Sequence, residues 1–368
     1  MPWTLIGVLL VMGSPVDKDV PPAEQLPTLI AAEPVIEEVS DTQENQKPQS
    51  VFYSSLTERE EGGLSSCGSG CCGSGCCGST CSDCCSCCDP CVPFCEKCRK
   101  LFQSDQCFNG FVSPISNPIF ARSPISQTEL RGMYIYDSIP SQNLAGPGDF
   151  NLLACQIRLA LTERLQFTAD KDGYLWLNSR GLGDPEGWVN LMAGLKYVVI
   201  RDVENQFLAA VGCTYELRTG ESAIFQGQGD GVFTPYFSVG KEIAEVFHFI
   251  GNAGYSVPVD SADNSSFGYF QAHFDAQVTS WLYPVMEFNW WHYTAGGRRG
   301  LPTGLQEVDS LINLGTSDMA GRDLVTLAFG LSAKPSKHLE YGIAFEFPLS
   351  NNEMWINNRL INQLILRY

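Results

Sequence analysis

RLINQLILRY, the stretch at residues 359–368, decides the fold. Its side chains alternate in the period-two pattern of a β-strand. One face carries Leu360, Leu364, Leu366 and Tyr368, and the other carries Ile361, Gln363, Ile365 and Arg367. In an outer-membrane barrel the last strand pairs with the first and places aromatic side chains at the lipid interface. We therefore expect Leu364, Leu366 and Tyr368 to belong to a barrel-closing strand.

The same alternation recurs along the preceding part of the chain. Residues 267–279 are the clearest example, because four polar side chains share one face: Gln271, His273, Asp275 and Gln277. A dry core would not tolerate such a row. Further strands are predicted at 131–139, 150–162, 165–178 with a break at 171–173, 188–200, 207–217, 231–241, 246–259, 282–295, 322–334 and 338–349.

The length of these segments favours a membrane barrel over a soluble β-sandwich. They span about 10–13 residues, whereas ordinary strands have about 5–6 and membrane-crossing strands about 9–11. Tryptophan and tyrosine cluster near strand ends, and short polar turns alternate with long links such as 218–231 and 296–321. The sequence predicts an all-β, transmembrane antiparallel barrel of about 12 strands over residues 111–368.

A series of short motifs resembles a known family. The motifs are Leu161–Leu165, Gly194–Tyr197, Gly227–Gly231 leading into Thr234–Tyr236, Gly251–Tyr255, Glu340–Gly342 and Phe345–Leu349. In order and spacing they resemble the outer-membrane proteins grouped as "putative MetA-pathway of phenol degradation". The resemblance covers about residues 130–368. It implies a 12-stranded barrel that takes up small, sometimes aromatic, compounds, and it implies no catalytic residues.

Function in such a barrel is expected in the lumen and the loops. The polar positions predicted to face inward are Arg158, Lys196, Glu216, His273, Asp275, Glu287, Glu340, Glu346 and Arg367. These charges can pair across strands, or they can shape the field along a pore. The link Gly296 to Arg322 is either an exposed loop or a constriction folded into the barrel mouth.

Other classes of protein find little support in the sequence. The net charge of −18 argues against a nucleic-acid partner. No apolar run reaches the length of about 18 residues that a spanning helix needs. The four histidines form no Ser/His/acid set by spacing, so we expect no enzyme activity, no cofactor and no metal site in the barrel.

Three zones precede the barrel. Residues 1–13 include a short apolar run of signal-peptide length, although no Lys or Arg precedes it. Residues 14–66 carry eleven acidic and three basic side chains, and their Pro, Glu, Gln and Ser content predicts a disordered linker. We expect export to the outer membrane, with this extension in the periplasm.

Residues 67–107 hold fourteen of the sixteen cysteines. Three readings stay open: disulfides in an oxidising compartment, thiolate metal binding through CxxC pairs, and a spacer without defined chemistry. The candidate thiols are Cys81, Cys84, Cys85, Cys88, Cys91, Cys95 and Cys98.

The sequence as a whole predicts a channel for passive or weakly selective passage of small molecules. Its expected partners are outer-membrane lipid and small solutes. Two alternatives rest on the cysteines: a structural envelope protein that cross-links or anchors the outer membrane, and a thiolate metal-binding surface protein.

Overall fold

A computed structural model describes residues 102–299, 301, 304–307, 309, 311–350 and 354–368. It contains fourteen strand segments and two short 3-10 turns, at Gln106–Phe108 and Ser222–Ile224. The strands are β1 (Glu129–Ile139), β2 (Gly148–Ala160), β3 (Leu165–Lys171), β4 (Tyr174–Ser179), β5 (Glu186–Trp188), β6 (Met192–Asp202), β7 (Phe207–Glu216), β8 (Val232–Ile243), β9 (Phe247–Pro258), β10 (Ser266–Ala276), β11 (Leu282–Ala295), β12 (Asp323–Ser336), β13 (Leu339–Pro348) and β14 (Asn358–Arg367).

Antiparallel pairing closes these segments into a 12-stranded barrel, which confirms the predicted fold class. β14 pairs with β1 from Arg367 opposite Glu129 to Asn358 opposite Ser138. Two barrel strands are each built from two segments. The segments β3 and β4 both pair with β2 and together form the third strand. The segments β5 and β6 together form the fourth strand, because β5 pairs with β4 and β6 pairs with β3. Among the described residues, no helix is long and apolar enough to cross a membrane.

The predicted interruption of the third barrel strand lies between β3 and β4. Gly173 has a φ of +123° there, a conformation that side chains beyond glycine rarely adopt. The Asp172 carboxylate accepts the backbone N–H of Cys155 at 2.8 Å and so replaces a ladder hydrogen bond. The break therefore leaves this part of the barrel wall hydrogen-bonded.

The two rims of the barrel differ in the length of their connections. Residues 161–164, 203–206, 244–246, 277–281 and 337–338 form short turns at one rim, which also carries the start of β1 and the end of β14. We call this the near rim. Longer links join the strands at the opposite, far rim: 140–147, 180–185, 217–231, 259–265, 296–322 and 349–357. Short turns on one side and long loops on the other are typical of outer-membrane barrels.

The outer surface of the barrel is apolar. Leu364, Leu366 and Tyr368 are 47%, 50% and 66% exposed, and aromatic side chains such as Phe237 and Phe274 project outward from other strands. The inward positions of the same strands carry buried charged and amide side chains. An apolar exterior around a polar interior is the arrangement that lipid requires of a barrel wall.

Candidate functional site: a filled lumen

Residues 103–128 lie inside the barrel and precede its first strand. The sequence placed the start of the barrel at 111, whereas the first strand begins at Glu129 and the stretch before it is buried within the lumen. We call residues 103–128 the plug. A barrel of eight strands is filled by its own side chains, so twelve strands leave room for such a segment.

Both ends of the plug are held at the near rim. The Ser104 N–H donates to the Tyr368 carbonyl at 3.2 Å, and the Asp105 N–H donates to the Ser126 carbonyl at 2.9 Å. The Thr128 N–H donates to the Ser104 hydroxyl oxygen at 3.0 Å. The plug therefore enters the lumen and returns to the same rim as a long hairpin-like loop.

The outgoing arm of the plug is bound through its main chain. Lys334 Nζ donates to the carbonyls of Asn109 and Phe111 at 2.7 and 2.8 Å. The N–H of Ser113 donates to Glu340 at 2.8 Å, and Arg367 donates to the Ser113 hydroxyl at 2.7 Å. Wall charges thus satisfy backbone groups that would otherwise be buried without partners.

Glu287 binds the next part of the plug with both carboxylate oxygens. Its Oε1 accepts the N–H of Ile115 at 2.8 Å, and its Oε2 accepts the N–H of Ser116 at 2.5 Å. His273 contacts the same carboxylate, with 2.6 Å between Nδ1 and Oε1. Hydrogen bonds to a charged acceptor are roughly twice as strong as neutral ones.

The return arm is fixed by two buried cations. Arg122, in the plug, pairs with Asp170 at 2.8 Å and lies 4.3 Å from the ring centre of Tyr236. Lys196 Nζ donates to the carbonyls of Ser123 and Ile125 at 2.6 and 2.7 Å. Between the two arms, the ring of Phe120 packs on Tyr269 at 4.5 Å and on Phe267 at 5.8 Å.

The described residues of the link 296–322, which we call the lid, fold into the far mouth of the barrel. Leu311, Ile312 and Leu314 of the lid are buried, and Asp309 pairs with Arg359 of β14 at 2.5 Å. Glu307 accepts hydrogen bonds from the Ser265 hydroxyl and the Thr316 N–H. Burial nevertheless raises the pKa of the Glu307 carboxyl above its usual range, because desolvation outweighs these bonds. Of the two possibilities left open by the sequence, the described lid residues take the folded-in one.

Little space remains between the plug and the lid. A cavity of about 20 Å³ lies between Asn117–Ile119 of the plug, Leu311 of the lid and wall residues such as Met133. This volume admits about one water molecule. The described residues of the plug and the lid therefore fill this part of the lumen.

The structure places all nine predicted lumen residues on the inner face, buried. Lys196, Glu287, Glu340 and Arg367 contact the plug directly. The others pair within the wall: Arg158 with Glu129 and Asp170, Glu216 with Lys171, Glu346 with Arg359, and His273 with Asp275.

Several side chains that fix the plug or the lid are not among those predicted from the sequence. They are His248, Lys334 and Arg359 on the wall and Arg122 in the plug. Arg122 carried one available signal, because it is the one charged residue in the otherwise uncharged stretch 106–128. The cysteine candidates between Cys81 and Cys98 lie outside the described residues. Within the described part of the chain, no group of three or more His, Cys, Asp or Glu side chains could hold a metal ion.

Comparison with known proteins supports the fold. No family model matches the chain, and no curated protein matches it. An outer-membrane channel from Pseudomonas putida F1 is similar in structure at 11% identity, with a TM-score of 0.50 over 70% of this chain and 100% of that one. The NanC porin is aligned at 8% identity, with a TM-score of 0.40 over 66% of this chain and 98% of the porin. The first likeness shows a shared barrel fold.

Proposed function

We propose that this protein is an outer-membrane channel for small molecules, closed by its own plug and lid. The observation that carries the proposal is a closed barrel with an apolar outer belt and a lumen lined by buried charges. Charged side chains along the lumen of a barrel can select which solutes pass. The fold shared with an outer-membrane channel supports the same conclusion.

Small aromatic compounds are the solute class that we propose. Phe267 and Tyr269 pack on Phe120, and Tyr293 packs behind them on Phe267 with 5.3 Å between the ring centres. These rings would face a solute once the plug has moved aside. The resemblance to the phenol-degradation group of outer-membrane proteins points to the same class, and selectivity would be weak because the surrounding charges have mixed signs.

The two rims of the barrel support one orientation in the membrane. Short turns face the periplasm in outer-membrane barrels, and long loops face the exterior. We propose that the near rim, and with it the N-terminal extension, lies on the periplasmic side. Cross-linking to other envelope proteins through the cysteines of residues 67–107 is a hypothesis that rests on the sequence alone.

Liposome flux measurements test this function. The full-length protein and its Phe120→Ala variant are reconstituted, and entry of phenol, benzoate and a sugar of similar size is compared. We expect the variant to admit solutes faster than the wild type, and the aromatic ones faster than the sugar. If both proteins fold but neither admits any small solute above protein-free liposomes, the channel proposal fails. Equal entry of the sugar would refute the aromatic preference alone.

A further inference from the structure

A continuous chain of histidines and carboxylates leads from the near rim to the plug. His248 Nδ1 contacts Asp275 Oδ1 at 2.7 Å, and Asp275 Oδ2 contacts His273 Nε2 at 3.0 Å. His273 Nδ1 contacts Glu287 Oε1 at 2.6 Å. All four side chains are buried, and they come from the adjacent strands β9, β10 and β11.

Both ends of this chain touch the plug. At one end, Glu287 accepts the N–H groups of Ile115 and Ser116. At the other end, His248 packs on Gly110, where an added Cβ would lie 2.9 Å from His248 Nε2. The row of polar side chains therefore runs beside the outgoing arm of the plug from Gly110 to Ser116.

His273 contacts a carboxylate oxygen with each of its ring nitrogens. Two good hydrogen bonds to two carboxylates require an N–H on both nitrogens, which is the imidazolium form. Loss of that proton would leave one nitrogen lone pair facing a carboxylate and would leave Asp275 and Glu287 as neighbouring negative charges. Glu287 could not then keep its position without repulsion.

The charged surroundings are those of a closed cluster. Beyond Asp275 and Glu287, the titratable groups nearby are His248 and Tyr283, whose rings lie 6.2 Å apart, and Glu242 of β8, 3.7 Å from His248. On the other side of Glu287 lies Glu346 of β13, because Asn289 donates both to Glu346 at 3.1 Å and to the Ser116 hydroxyl of the plug at 2.9 Å. Arg131 of β1 donates to the Pro114 carbonyl at 3.4 Å. Further along the wall lie Lys334 with Glu340 and Arg367, which contact Phe111 and Ser113. Residues 109–116 of the plug carry no titratable side chain. The protonation state of His273 therefore depends on side chains of the wall, and it affects the plug through Glu287.

We propose that His273 is the positioning residue of a proton-dependent latch: its imidazolium holds Glu287 against the plug, and its deprotonation releases the plug. This inference deepens the proposed function, because it names what regulates the closed state. It also gives a direction, since alkaline pH should loosen the plug.

Hydrogen exchange of the full-length protein in detergent micelles tests the latch. Peptides covering residues 111–120 are followed by mass spectrometry across pH, with each rate divided by the intrinsic rate of an unfolded peptide. In the wild type we expect protection to fall by about tenfold or more as His273 loses its proton, because charged hydrogen bonds to Ile115 and Ser116 are lost. His273→Gln should show low protection without this step.

Two further variants keep the test decisive. His292→Gln is the matched control, because His292 is half-exposed at the far end of β11 and pairs with Asp323 rather than with the plug; it should retain the step. If His273→Gln fails to fold, Glu287→Gln replaces it, and it should show low protection without the step, because the carboxylate through which His273 acts on the plug is gone. A step at the wild-type pH in His273→Gln or Glu287→Gln, or no step in the wild type, overturns the latch. The readout is independent of solute flux, so a protein that shows the step but never conducts would refute the channel alone.

Discussion

Replacing Phe120 with alanine should open the channel. Phe120 is 1% exposed, and its ring lies 4.5 Å from Tyr269, 5.8 Å from Phe267 and 5.6 Å from the Arg122 guanidinium. Truncation of a buried phenylalanine costs about 3–5 kcal/mol. Here the cost falls on the docked state of the plug, since the strands of the wall keep their own pairing. A loss of about 3 kcal/mol corresponds to roughly a hundredfold shift toward the undocked state.

Single-channel recording in planar bilayers measures this shift as the fraction of time spent open. Phe270→Ala is the matched control, because Phe270 follows Tyr269 on β10 but is 38% exposed on the outer face, away from the plug. We expect its open fraction to equal that of the wild type. The reasoning is refuted if Phe120→Ala forms a folded barrel, judged by heat-modifiable gel mobility, yet opens no more often than the wild type.

Three other changes probe separate parts of the structure. Lys196→Met removes two charge-assisted bonds to the return arm and should lower exchange protection at residues 122–127 by at least about tenfold. Lys241→Met, on β8 where Lys241 contacts Asn205 of a near-rim turn, should leave this protection unchanged. Leu364→Arg places a charge on the lipid-facing surface and should destabilise the barrel by up to about 2–4 kcal/mol, so an unchanged urea midpoint in lipid would contradict the assigned outer face. The raised pKa of Glu307 means that its contribution to lid stability is fully present below its unfolded pKa and is lost as pH rises through the folded value. The exchange rate of lid peptides, divided by the intrinsic rate at the same pH, should therefore increase with pH, and a Glu307→Gln lid that still shows this dependence would rule out the assignment.

The wall of the barrel could be predicted from the sequence because each strand faces two different solvents. Lipid selects apolar side chains at one parity and the lumen selects polar ones at the other, so a row such as Gln271, His273 and Asp275 marks both the strand and its inner face. The break near Gly173 was visible for the same reason, since consecutive polar residues disturb the alternation. The short β5 was not separated from β6, because three residues carry too little periodicity.

The plug could not be predicted in the same way. It has no repeating pattern, and the wall binds it largely through main-chain atoms, such as the carbonyls contacted by Lys196 and Lys334. Every residue type except proline offers the same backbone donor and acceptor, so the sequence of the plug does not record which groups are used. The pairing of the wall charges could not be predicted either, because the register of β1 with β14 brings together residues that are far apart in the chain, such as Glu129 and Arg367.

The attachment of Ser104 to Tyr368 has a mechanical consequence. A pulling force on the chain upstream of Ser104 reaches this contact first, and Tyr368 is itself joined to Thr128 at the boundary between the barrel's first and last strands. The load would be carried by a seam of antiparallel hydrogen bonds running the length of β1 and β14 before it reached the plug. The Ser104 contact thereby shields the lumen from a pull on the chain before it, and only a force that first breaks this contact would be transmitted to the plug.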